Sequence, residues 1–172
     1  MTERTSLGAS ETLRTSFVLN DIDSSSWNDS EYPHAVITMM PMPLTEKYLV
    51  NHNDGSRSFV GLSVGNEGKS IFGKVIDEKN RVILGETVFG YFGTEYPPRV
   101  ISDFTASGLI GQGFARRRKM IANQICKERL GMALHSSTAR SPIAEGFWRR
   151  LVEQNLAKET VDPHGKKIYS LV

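Results

Sequence analysis

The chain has little with which to staple or anchor itself. It holds one cysteine, Cys126, so an intrachain disulfide is excluded. The place of Cys126 inside a helical pattern marks it as a small buried residue rather than a nucleophile. No apolar run approaches the ~18 residues that span a bilayer. The first residues lack the apolar core of a secretion signal, so a cytoplasmic protein with no membrane partner is expected. The four histidines, His34, His52, His135 and His164, are scattered without metal-ligand spacing, so no metal site is expected. No Gly-Lys-Ser/Thr follows a glycine loop, and no parallel βαβ unit with an acidic residue at dinucleotide spacing is evident. These absences argue against nucleotide hydrolases and dinucleotide-dependent enzymes.

What remains is an ordinary globular balance over 172 residues, enough for one domain with a sizeable core. Residues 1–10 are polar and small and read as a disordered tail, leaving 11–172 as a single domain. Charge is unevenly spread. Residues 107–150 carry nine Lys/Arg against two Glu, or +7, which leaves −5 for the rest of a chain whose net charge is +2. That asymmetry favours an anionic ligand near the C-terminal half.

Residues 13–19 suit a short strand, and 35–40 an extended apolar segment ended by Pro41 and Pro43. Residues 44–51, after Pro43, suit a short helix. Asn53-Asp54-Gly55 is a turn. Strand-like runs occupy 58–64, 70–77, 81–92 and 99–106. The polar turn 77–80 is short enough to make the middle pair a hairpin, and the spacing describes an antiparallel meander. At residue 113 the period changes. Phe114, Ala115, Met120, Ile121, Ala122, Ile125 and Cys126 fall largely at helical spacing as far as Leu130, with Gly131 as the stop. A short strand at 132–135 follows. A second helix over 140–155 begins with Ser141 as N-cap and Pro142 at its first position, and carries the stripe Phe147, Trp148, Leu151 and Val152. Asp162-Pro163-His164-Gly165 turns the chain into a final strand over 168–172.

The most informative stretch is Gly108-Leu-Ile-Gly111-Gln112-Gly113-Phe114-Ala115-Arg116-Arg117-Arg118-Lys119. Glycines allow a backbone to turn its N–H groups toward a ligand, and a helix start carries partial positive charge. Together they suit a phosphate or another anion; the alternative is a tight turn before a solvated helix. Arg116 and Arg117 lie nearest the helix start. The other two members of the basic run are expected to be solvated.

The order strand, glycine loop, helix, strand, helix, strand resembles the GNAT superfamily of N-acetyltransferases over residues 99–172. That family carries Gln/Arg-x-x-Gly-x-Gly/Ala before the helix; Gly111 and Gly113 match, and Gly108 replaces the Gln/Arg. On its last helix it carries Asn-x-x-Ala-x-x-x-Tyr; here Ala144 matches, Ser141 replaces Asn and Trp148 replaces Tyr. The resemblance implies an α+β fold with a GNAT-like central, mostly antiparallel mixed sheet flanked by helices. It implies acetyl-CoA or another acyl-CoA as the donor. The pyrophosphate would bind the amides of Gly111, Gln112, Gly113, Phe114 and Ala115 with Arg116 and Arg117. The thioester carbonyl would meet a backbone amide within Phe104, Thr105 and Ala106.

Acyl transfer to an amine needs a base, an oxyanion donor, and a proton or a stabilising charge for the leaving thiolate. Asp103 and Glu86 are the base candidates; a loop-entry cap and a solvent-facing strand residue are their alternatives. Trp148 cannot supply a proton as a tyrosine would, which leaves Ser141, Ser137 or His135. An acyl-CoA-dependent N-acyltransferase acting on an amine of a protein, a small molecule or a nucleic acid is therefore expected. The competing readings are a nucleic-acid-binding protein that uses the basic half, and an inactive member of the fold that binds a protein partner.

Overall fold

A computed structural model of the chain describes residues 43–172 and the two-residue strand Asn20–Asp21. The tail at 1–10 and the extended segments expected at 13–19 and 35–40 lie outside the described residues. Six antiparallel strands follow one another in chain order: β1 (Asn20–Asp21), β2 (Glu46–Asn51), β3 (Arg57–Gly65), β4 (Ser70–Lys79), β5 (Val82–Tyr91) and β6 (Arg99–Thr105). Helices α1 (Phe114–Leu130) and α2 (Pro142–Glu153) come next, and the hairpin β7 (Ala157–Val161) and β8 (Lys167–Leu171) closes the fold. The fold is α+β.

The expected meander is present, and its central hairpin turns at Asn80 and Arg81, both with positive φ (52° and 65°), the geometry that matches the strand twist. Two expectations change, and one strand was not expected. Residues 46–51 form a strand, not a helix, paired with β3 from Glu46↔Leu62 to Asn51↔Arg57. Leu49 packs on one side of the sheet and Tyr48 and Val50 on the other. That two-sided burial outweighs the helix-start signal of Pro43. The strand expected at 132–135 shrinks to a single bridging residue, His135. Strand β7, Ala-Lys-Glu-Thr-Val, has weak strand propensity, and only its pairing with β8 reveals it.

His135 joins the two sheets. It bridges Arg99 in parallel and Ser170 antiparallel, with Val100 N–H donating to His135 O at 2.9 Å and His135 N–H to Pro98 O at 2.8 Å. Past that point the partners separate. Strand β6 runs on to Thr105, while the chain after His135 leads to Ser141 and α2. Among the described residues the far half of β6 therefore has a free edge.

Helix α1 covers one side of the sheet. Met120, Ile121, Ala122, Ile125 and Cys126 pack with Val60, Leu62, Ile71, Val75 and Phe89, and Trp148 and Leu151 of α2 extend the same core. Phe59 and Ile76 lie on the opposite side with Leu44, Leu49 and Ile83. Both helix boundaries chosen from sequence hold in kind. The Gly131 N–H closes α1 on Lys127 O at 3.0 Å, and Ser141 Oγ caps α2 by accepting from Ala144 N–H at 3.2 Å.

Candidate functional site

The gap beyond β6 is a cavity of about 800 Å³, within the range of small-molecule sites. Its walls are the free half of β6, the glycine loop with the first turn of α1, and the segment from Ser137 into α2. Two helix starts thus face one cavity, and each brings the partial positive charge of its unpaired amides.

The loop geometry follows from its glycines. Gly108, Gly111 and Gly113 all have positive φ (85°, 87° and 90°), where a side chain is strained. A Cβ at Gly111 would meet nothing within 4 Å, and at Gly113 only Arg116 Nη2 at 3.8 Å. Open space therefore lies directly above the backbone. Leu109 N–H bonds Ala106 O at 3.0 Å, and Gln112 N–H bonds Leu109 O at 3.3 Å. The Gln112 side chain folds back onto Gly108 O at 3.0 Å. The N–H groups of Gly111, Gly113, Phe114, Ala115 and Arg116 have no backbone acceptor among the described residues. Such a cluster of unpaired donors at a helix start suits an anion.

Behind the loop, the basic run departs from expectation. Arg118 is fully buried and Lys119 nearly so, rather than solvated. Arg118 lies one helical turn before Ile121 and Ala122 and two before Ile125, so it points at the sheet with them. The sheet meets it with acceptors. Arg118 donates to Asp77 Oδ2 (3.1 Å), Thr87 Oγ1 (3.0 Å), Phe104 O (2.8 Å) and Thr105 Oγ1 (2.8 Å). Gly85 makes room, since a Cβ there would sit 2.3 Å from Arg118 Nη1. Lys119 Nζ lies 2.8 Å from Asp103 Oδ2 and 4.5 Å from the Phe147 ring centroid. Burial lowers its pKa, and Asp103 works against that shift. The α1 start is thereby clamped to the end of β6 from within, which fixes both ends of the glycine loop.

The candidate residues divide clearly. Asp103, Phe104, Thr105, Gly111, Gln112, Gly113, Phe114, Ala115, Arg116 and Ser141 line the cavity. Glu86, Ala106 and Arg117 do not. Glu86 pairs in register with Ile76 and Phe104, on the sheet side away from α1, with Lys74 Nζ at 3.9 Å. The Ala106 N–H is held by Leu84 O at 2.8 Å. Amide direction alternates along a strand, so the free-edge amide at this end of β6 is that of Thr105. Arg117 turns away to Asp77 (3.3 Å) and Asp54 (3.7 Å). Asp103 is not a free base: Lys119 and Arg118 (3.4 Å) hold it, and Thr87 donates to it.

Hydroxyls flank the second helix start. Ser137 Oγ donates to Ala139 O at 2.6 Å. Ser141 Oγ accepts from Ala144 N–H, and among the described residues its own proton has no acceptor. Trp148 is buried, with its ring parallel to that of Tyr169 at a centroid distance of 6.0 Å. Tyr169 donates to Glu145 at 2.5 Å. That bond and those from Arg140 and Lys167 hold the Glu145 carboxyl down to about 2. Arg140 also donates to Ser137 O and, at 3.2 Å, to Lys167 O, which pins the cavity wall between His135 and α2.

Sequence reasoning missed Arg118, Lys119, Asp77 and the wall residues Ile143, Phe147 and Arg140. Only Arg118 left a signal, a cation in register with the apolar positions of its helix. No protein-family profile matches the chain, and no curated protein matches it. No described helix is long and apolar enough to cross a membrane.

Proposed function

We propose that the protein is an acyl-CoA-dependent N-acyltransferase of GNAT type. The observation that carries this reading is the set of unpaired amides of Gly111, Gly113, Phe114, Ala115 and Arg116, opening on a cavity that the start of α2 also faces. Coenzyme A suits that arrangement by its chemistry. It has a pyrophosphate for a helix start, a slender chain for the gap beside a free strand edge, and a thiol end.

The residues divide the work. The amides of Gly111, Gly113, Phe114 and Ala115 bind pyrophosphate, and the Arg116 guanidinium, whose nearest acceptor is Gln154 Oε1 at 3.4 Å, neutralises it. The Thr105 amide at the free edge of β6 orients the thioester carbonyl. Bound acyl-CoA supplies the activated acyl group. Ser141 holds a proton for the sulfur, and the partial positive charge of the α2 start favours thiolate there. Asp103 keeps Lys119 and Arg118 in place and so positions β6 against α1.

The buried half of the basic run disfavours the nucleic-acid reading, since Arg118 and Lys119 do not belong to a surface stripe. The test is a thermal-shift titration with acetyl-CoA, CoA and ATP. Acetyl-CoA at 100 times its Kd should add about 2.7 kcal/mol, and CoA should act similarly. No shift with either CoA species would overturn the reading.

A further inference from the structure

We infer that the acceptor is an aromatic amine, a nitrogen already uncharged at neutral pH on an apolar body; this rests on the acyltransferase reading. Charge is the first argument. Among the described residues Asp103 is the one carboxylate lining the cavity, against Arg116, Lys119, Arg140 and Arg150. It is held by Lys119 and Arg118. Lys119 and Arg140 are paired with Asp103 and Glu145, so an ammonium entering this cavity meets two cations without a carboxylate partner among the described residues, Arg116 and Arg150, and no uncommitted carboxylate either to pair with it or to take its proton. An aromatic amine needs neither, because delocalisation into the ring leaves its nitrogen neutral and unprotonated at pH 7.

Surface is the second argument. Eight large apolar residues are exposed among the described residues, and four of them, Ile101, Phe104, Ile110 and Ile143, line this one cavity. Ile110 and Ile143 are 65% and 74% exposed. The partly buried ring of Phe147 joins them in the wall. A flat apolar ring matches such a mouth, and a polyamine or lysine side chain does not.

In the reaction, the amine nitrogen attacks the thioester carbonyl carbon and the C–S bond breaks. The amine proton passes to the departing sulfur. The products are an N-aryl amide and free CoA thiol, and no other reactant is required.

Two isomers separate the hypotheses cleanly. 4-Methylaniline and benzylamine share composition and apolar bulk, but only benzylamine is an ammonium at pH 7. With acetyl-CoA bound and thiol release followed, 4-methylaniline should be turned over with kcat/KM at least ten-fold above benzylamine, and spermidine should be inert. Ile143→Asp, a change at an exposed position, should narrow that ratio several-fold by giving the mouth a free carboxylate. Equal or better use of benzylamine or spermidine overturns the inference. So does acetyl-CoA binding with neither isomer acetylated, which leaves the binding half of the acyltransferase reading intact. Failure to bind acetyl-CoA overturns both.

Discussion

Replacing Gly113 with alanine, and Gly108 with alanine as its control, separates backbone strain from ligand contact. The two glycines have nearly the same positive φ, 90° and 85°. Neither added Cβ would clash, since nothing lies within 4 Å at Gly108 and only Arg116 Nη2, at 3.8 Å, at Gly113. Each substitution should therefore cost about 1–2 kcal/mol from the left-handed conformation alone. For a chain of this size that lowers the melting midpoint by roughly 2–8 °C. The two differ in place: Gly113 lines the cavity and Gly108 does not. A methyl at Gly113 stands between the helix-start amides and a pyrophosphate. Loss of one charge-assisted hydrogen bond is worth roughly 1.5–3 kcal/mol, or roughly a 10- to 100-fold weaker Kd for CoA. Calorimetric titration well below both melting midpoints reads this directly. Gly108→Ala should bind CoA as the parent does, and Gly113→Ala should not. Equal weakening in the two variants, or none in Gly113→Ala, would refute the placement of the phosphates.

Three further predictions concern the frame around the site. Arg118→Met strands the fully buried Asp77 with Arg117 at 3.3 Å as its remaining cation and should cost about 3–5 kcal/mol in urea unfolding. Adding Asp77→Asn should recover part of that loss, and strictly additive costs would show that the pair is not coupled. His52 donates to Ser58, whose own proton goes to Asp77 (2.7 and 2.5 Å); burial, then Arg117, pushes its pKa down from 6.5 to about 4. The unfolded chain therefore binds the extra proton between those values, so this contribution is complete above pH 6.5 and fades as pH falls toward 4. Discounted for the partial exposure of His52, the fade should amount to about 1–2 kcal/mol. His52→Gln should remove it from the pH profile of stability, and an unchanged profile would contradict the assignment. Cys126 is buried, and burial pushes its thiol up to about 12, so a disulfide reagent should label it only as fast as the protein unfolds. Rapid labelling of the native protein would contradict its place in the core.

The features legible from sequence were those with local causes. The glycine loop, the caps at Ser141 and Gly131, and the β4–β5 hairpin each follow from a few neighbouring residues. The site needed more than local causes. A run of four basic residues reads as a solvated face, and only the register of Arg118 with Ile121, Ala122 and Ile125 marks it as turned inward. Its partner Asp77 sits beside Glu78, Lys79 and Asn80 and so reads as part of a turn, yet it lies within β4 facing α1. Glu86 and Thr87 are adjacent, and which of them faces the helix depends on a strand register set by partners across the sheet. The gap that forms the cavity depends on one bridging residue, His135, whose two partners are far away in the chain. No local pattern encodes such a separation.

In the proposed function, the amides of Gly111, Gly113, Phe114, Ala115 and Arg116 hold the pyrophosphate of a CoA thioester. Amide-resolved NMR of the ¹⁵N-labelled protein during a CoA titration measures those groups one by one. The largest saturable shifts should fall on Gly111, Gly113, Phe114 and Ala115, with Gly108 little changed. Saturable shifts centred away from α1, or none with CoA in excess, would contradict it.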